Sequence, residues 1–111
     1  MSFRVANVQE YFRRLNERFS PGGADGVDAV FQFELDGDGG GVWHAVVCGG
    51  QMQLRRGTHE SPTTTIRMNA AEYVEMTNGD LNGQNAYMTG RLQIGGSIPM
   101  AMRMRAIFPA A

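Results

Sequence analysis

The chain has no lysine, one cysteine and no apolar run longer than a few residues. Cys48 alone can form no intrachain disulfide and complete no cysteine-based zinc site, and on a strand it reads as a small hydrophobe. No segment approaches the ~20 apolar residues of a membrane-spanning helix. The opening Met-Ser-Phe-Arg-Val soon meets Glu10, Arg13 and Arg14, without the apolar stretch of a signal peptide, so a soluble, cytoplasmic protein is expected. Every basic residue is arginine. Scattered as they are, these reflect composition more than bidentate anion recognition; the tight groups are Arg103 with Arg105, and Arg13, Arg14 and Arg18 on the first helix. A net charge of -1 and a pI near 6.1 leave no basic footprint for nucleic acid.

What is present describes one globular unit. The 111 residues fit a single domain spanning 1–111, with 42% hydrophobic and 19% charged residues. Val8, Phe12, Leu15 and Phe19 recur at helical spacing, with Tyr11 beside them, and predict one helix over 8–19 opened by Asn7 and Glu10. Ala29, Phe31, Phe33 and Leu35 alternate with more polar neighbours and predict a strand over 29–35. The Asp/Gly run 36–41 turns into a strand over 42–48, Gly49-Gly50 into a third over 51–55, and a loop over 57–62 precedes a fourth over 63–68. Short turns between all four predict an antiparallel meander. Asn69 with Glu72 opens a helix to about Thr77, a short helical segment covers 82–89, and a fifth strand covers 91–95. Ser97, with Pro99 in the first turn, caps a last helix running to about Phe108.

Little in the chain resembles a reaction centre. Asp36 and Asp38 lack the later Glu of a calcium loop, and Gly37-Asp38-Gly39 joins strand to strand, which is no nucleotide fingerprint. His44 and His59 have no HExxH pattern and no cysteine neighbour, so no metal site and no cofactor are expected. Gly95-Gly96-Ser97-Ile98-Pro99 breaks the nucleophile-elbow pattern. The anomaly is methionine: of eight, Met68, Met76, Met88, Met100, Met102 and Met104 fall in the second half. Methionine suits surfaces that adapt to varied ligands. On the last helix Met100, Met104, Ile107 and Phe108 form an apolar stripe, with Ile98 and Met102 on another side. Apolar surface beyond one core-facing stripe suggests a second apolar contact.

The ordered set Gly57, Pro62, Thr63-Thr64-Thr65-Ile66-Arg67-Met68, Gly79-Asp80-Leu81-Asn82, Ala86-Tyr87-Met88-Thr89-Gly90 and Arg91-Leu92-Gln93-Ile94-Gly95-Gly96 resembles the sterol carrier protein type 2 family. Val30-Phe31-Gln32-Phe33 and the Trp43 strand extend the likeness over nearly the whole chain. The resemblance implies an α+β fold: a five-stranded mixed, largely antiparallel sheet with helices packed on one face, enclosing an apolar tunnel. It implies a sterol, fatty acid, acyl-CoA or phospholipid as ligand, and no shared catalytic residues. Joined to the strand alternation, it names as lining Phe31, Phe33, Met76, Tyr87, Met88, Met100, Met104, Ile107 and Phe108. Thr64 stands where the family often has an aliphatic residue, and Pro99 and the extra methionines alter the last helix. The ending Pro109-Ala110-Ala111 carries no peroxisomal signal.

The reading that follows is a carrier or presenting factor for a hydrophobic small molecule, as monomer or homodimer, with transient contact to a membrane or an enzyme. The competing readings are a small-pocket enzyme acting on a polyketide- or terpenoid-like substrate, with Tyr87, His44 or Glu72 as acid or base, and an accessory factor whose apolar stripe docks on a partner.

Overall fold

The computed structural model describes residues 4–109. Met1–Phe3 and Ala110–Ala111, on which parts of the N-terminal and C-terminal targeting readings fall, lie outside the described residues. In chain order the elements are α1 (Val8–Arg13), α2 (Leu15–Arg18), β1 (Ala29–Asp36), β2 (Gly41–Cys48), β3 (Gln51–Arg56), β4 (Thr64–Asn69), α3 (Ala70–Thr77), α4 (Gly83–Met88), β5 (Gln93–Gly96) and α5 (Ile98–Ile107). The strands form one five-stranded sheet of order β3-β2-β1-β4-β5, antiparallel except for the β1–β4 pair.

That parallel pair corrects the expected four-strand meander. The meander stops at β3; β4 leaves it and joins the far side of β1, with Phe33 opposite Trp43 on one flank and Ile66 on the other. Parallel neighbours need a long connection, and here the whole β2–β3 hairpin plus the loop 57–63 supplies it. The loop crosses the sheet on the face that the helices leave free. His59 N–H donates to Gln32 Oε1 (2.8 Å), His44 Nδ1 meets Gly57 O (2.8 Å), and Thr63 N–H donates to Val30 O (2.8 Å). Gln32 and His44, which alternation places on a solvent face, are buried beneath it.

The expected first helix is also interrupted. Arg14 leaves helical geometry (φ -104°, ψ 11°), and Glu17 N–H reaches back only three residues to Arg14 O (2.9 Å). The break lets the Arg14 guanidinium reach both Glu17 and Arg4 O, while Leu15 and Arg18 turn inward. Caps elsewhere follow the sequence: Asn7, Asn69, Asn82 and Ser97 each accept a first-turn N–H. Gly96 at the entrance to α5 has φ +73°, and a β-carbon there would sit 2.5 Å from Thr63 O, so only glycine fits.

The helices cover the face bearing Phe31, Phe33, Trp43, Ala45, Val47, Ile66 and Met68, all buried. Phe12 of α1 stacks on Trp43 (ring centroids 4.3 Å apart) and meets Phe33 edge-on at 5.2 Å. Phe108, after α5, approaches Phe31 edge-on at 6.0 Å. Among the described residues no helix is long and apolar enough to cross a membrane.

Candidate functional site

The methionine-bearing C-terminal helix lies against β4 and β5. Met100 N–H donates to Ser97 Oγ (3.2 Å), which starts α5, and Ser20 N–H donates to Ile107 O (2.8 Å), which ties down its far end. Successive residues of a helix advance by about 100°, so Ala101, Met104 and Phe108 share a face that Met100 and Ile107 widen. That face meets the sheet: Ala101, Ile107 and Phe108 are buried, Met100 and Met104 half-buried. Ile98 and Met102 face outward, 42% and 69% exposed. Thr64, the departure from the family pattern, is fully buried at the start of β4, where its hydroxyl donates to Gly95 O (3.2 Å).

The structure therefore brings most of the expected lining set to the sheet–helix interface. Phe31 and Phe33 lie at the centre of the sheet, Phe108 over its β1 side, Ile107 buried at the end of α5, and Met100 and Met104 on the sheet-facing side of α5. Met76 is half-buried on α3, its thioether facing Gly83. Tyr87 and Met88 lie at the surface of α4, 43% and 75% exposed. A hollow of about 610 Å³ opens at the end of β1 and β4, between Glu34, Asp36, Arg67, Glu72 and Arg91 over Leu35 and Met68. A second, about 240 Å³, lies between the start of α1, the β1–β2 turn and α3. Neither hollow is the expected apolar tunnel; at the sheet–helix interface Phe12 meets Trp43 and Phe33, and Phe108 meets Phe31.

Two ion pairs line the first hollow. Arg67 Nε donates to Glu34 Oε1 (2.9 Å), and Arg91 Nη1 meets Glu72 Oε2 at 3.3 Å. The Arg67 guanidinium, helped by the Gln32 amide, holds the Glu34 carboxyl below its ordinary range. A carboxyl lowered on folding stabilises the fold above its unfolded pKa, near 4.3, and that contribution fades as acid protonates it. Glu34→Gln is therefore expected to flatten the fall in urea midpoint below about pH 5. Parallel curves for the variant and the parent would show that the pair contributes nothing.

His44, Glu72 and Tyr87 are not brought together. His44 lies on the helix-free face beneath the 57–63 loop, Glu72 is held by Arg91 on the helical side, and Tyr87 faces outward. Sequence reasoning missed a buried polar cluster. Tyr73 O–H donates to Tyr11 Oη (3.0 Å), and burial pushes both phenols up, Tyr73 well above its ordinary value. Arg18, 4% exposed, lies 5.1 Å from the centre of the Tyr11 ring and donates to both oxygens of Thr77. Tyr11 and Tyr73 sit at helical spacing beside apolar residues and were legible as inward; nothing local marks Arg18 as buried.

A sheet of this order with a C-terminal helix against its β4–β5 side is the fold of sterol carrier domains. It superimposes on sterol carrier protein 2 like 2 of Aedes aegypti with a TM-score of 0.74 at 18% identity, covering 90% of this chain and 94% of that one. The chain belongs to the SCP-2 sterol transfer family, whose model matches residues 8–109. Part of a sec-alkyl sulfatase, PisA1, is similar in fold: TM-score 0.83 at 14% identity, over 98% of this chain and 17% of the sulfatase. Among curated proteins, hydroxysteroid dehydrogenase-like protein 2 of Rattus norvegicus is 30% identical over 90% of this chain, and that of Bos taurus 28% over 94%. The chain spans only 19% and 25% of their lengths.

Proposed function

We propose that this domain binds a hydrophobic small molecule, such as a fatty acid, acyl-CoA or sterol, between the sheet and α5, and carries or presents it. The observation that supports this is the state of α5: its sheet-facing side is apolar, and two half-buried methionines, Met100 and Met104, lie on it. Met100 and Met104 are unbranched and rotate at low cost, so they can yield volume to a ligand where Phe31 and Phe33 cannot. Phe31, Phe33, Ile107 and Phe108 then form the fixed wall and Met76, Met100 and Met104 the adaptable one. Tyr87 and Met88, exposed on α4, join the lining only once a ligand draws α4 inward. Burying about twelve methylenes at ~0.8 kcal/mol each gives roughly 10 kcal/mol, against association costs of about 4–15 kcal/mol. At the low end of that cost about 6 kcal/mol remains, an affinity in the tens of micromolar with broad selectivity, as suits a carrier. The relatives named for a hydroxysteroid dehydrogenase and an alkyl sulfatase fit a domain that presents apolar substrates to an attached or partner enzyme.

Trp43, the only tryptophan, is buried against Phe12 and reports on the interior. Titration with oleate, palmitoyl-CoA or cholesterol is expected to shift its emission with micromolar saturation. Met104→Gln is expected to weaken binding roughly tenfold by placing an amide in the apolar wall. No response and no displaced probe across acyl chains, acyl-CoAs, sterols and prenyl lipids would sink the carrier reading.

A further inference from the structure

Charge is divided unevenly along this chain. Residues 1–80 carry seven arginines against all eleven carboxylates, a net -4; residues 81–111 carry Arg91, Arg103 and Arg105 and no acid, a net +3. Surface hydrophobicity follows the same division. The large apolar side chains that are exposed among the described residues are Tyr87, Met88, Ile98 and Met102, and all fall in the acid-free part. A patch that is both apolar and cationic is what an anionic bilayer surface attracts.

On α5 these properties share a face. Ile98, Met102 and Arg105 are four and three residues apart, hence one above another, on the side opposite the sheet. Arg103 stands at the edge of that face, where its Nη2 donates to the peptide oxygen of Asp25 (3.3 Å). Neither Arg103 nor Arg105 forms an ion pair among the described residues, whereas Arg91 is matched by Glu72. We infer that the outward face of α5 is a docking surface for membranes rich in anionic lipid, with Ile98 and Met102 entering the headgroup boundary and Arg103 and Arg105 pairing with lipid phosphates. At about 15 Å, the helix is too short to span and long enough to lie flat. The inference does not depend on a ligand pocket, because the surface lies on the side of α5 away from the sheet.

Vesicle flotation of the full chain tests it, since the readout is the protein's position in the gradient whether or not α5 opens. Vesicles of phosphatidylcholine with phosphatidylglycerol should carry the protein upward, phosphatidylcholine alone should not, and added salt should release it. Arg103→Gln with Arg105→Gln should weaken binding about 25-fold, roughly fivefold per arginine. Met102→Ser, at an exposed position, should weaken it roughly tenfold without loss of fold by circular dichroism. Arg13→Gln, an exposed arginine in the acidic part, should change it less than about twofold. Equal flotation with neutral vesicles, retention by the double variant, or an equal loss in Arg13→Gln would overturn the inference. So would capture by soluble polyglutamate in place of vesicles, which would make the occupant an acidic polypeptide.

Discussion

Phe12→Ala is expected to destabilise the domain by about 3–5 kcal/mol and to lower its melting temperature by roughly 15 °C. Phe12 makes the only face-to-face ring contact among the described residues, on Trp43, and meets Phe33 and, at 5.0 Å, Tyr11 edge-on. At 4% exposure it has no solvent to relax into, and the strands beneath it are paired on both flanks, so the cavity cannot collapse. Aromatic contacts add about 0.5–1.5 kcal/mol beyond area burial. Thermal unfolding followed by circular dichroism reads the loss. Trp43 emission in the folded variant should shift red as water gains access to its face. A change below about 1 kcal/mol would mean that α1 is already loosely seated on the sheet.

Arg18→Met is expected to cost about 2–4 kcal/mol although it replaces a cation with an apolar side chain of similar length. Arg18 Nη1 donates to Thr77 O (2.8 Å) and Thr77 Oγ1 (2.5 Å), and reaches Pro109 O at 3.5 Å. One guanidinium thus closes the C-terminal end of α3 and links it to α2 and to the chain after α5. Burial, with a lesser push from the Arg14 charge, moves the Arg18 pKa down, but an arginine stays charged through the physiological range. Methionine fills the space and leaves two buried oxygens without a donor, and an unmade buried hydrogen bond costs more than a made one contributes. Adding Thr77→Val removes one of those orphaned oxygens, so the double variant should recover part of the loss. If Arg18→Met proves neutral, the cluster is a solvated surface feature and its burial counts for little. Equilibrium urea unfolding of the two variants and the parent separates these outcomes.

The position of β4 shows where local reading runs out. Thr64, Ile66 and Met68 alternate with Thr65 and Arg67 whichever neighbour the strand takes, because alternation describes faces and is blind to partners. Moving β4 from the edge of a meander to the far side of β1 changes none of its side-chain directions. The break at Arg14 is similar: the apolar spacing from Val8 to Phe19 is compatible with one helix, and only the partners of Arg14 and Arg18 stop it. The lining set divides on the same ground. Phe31, Phe33, Ile107 and Phe108 belong to strong periodic patterns and are buried as read; Tyr87 and Met88 lie on a six-residue helix too short to define a face, and are exposed.

From its residues alone, this chain determines its strands and their inward faces, the helix starts at Asn7, Asn69, Asn82 and Ser97, and the two apolar sides of its last helix. All of these depend on neighbours within a turn or two, so the order of residues is enough. Which strands pair, that a loop covers His44 and that Arg18 is drawn inside were decided in three dimensions. Each is a competition among distant segments for the same space and the same hydrogen-bond partners, and no local pattern records who wins.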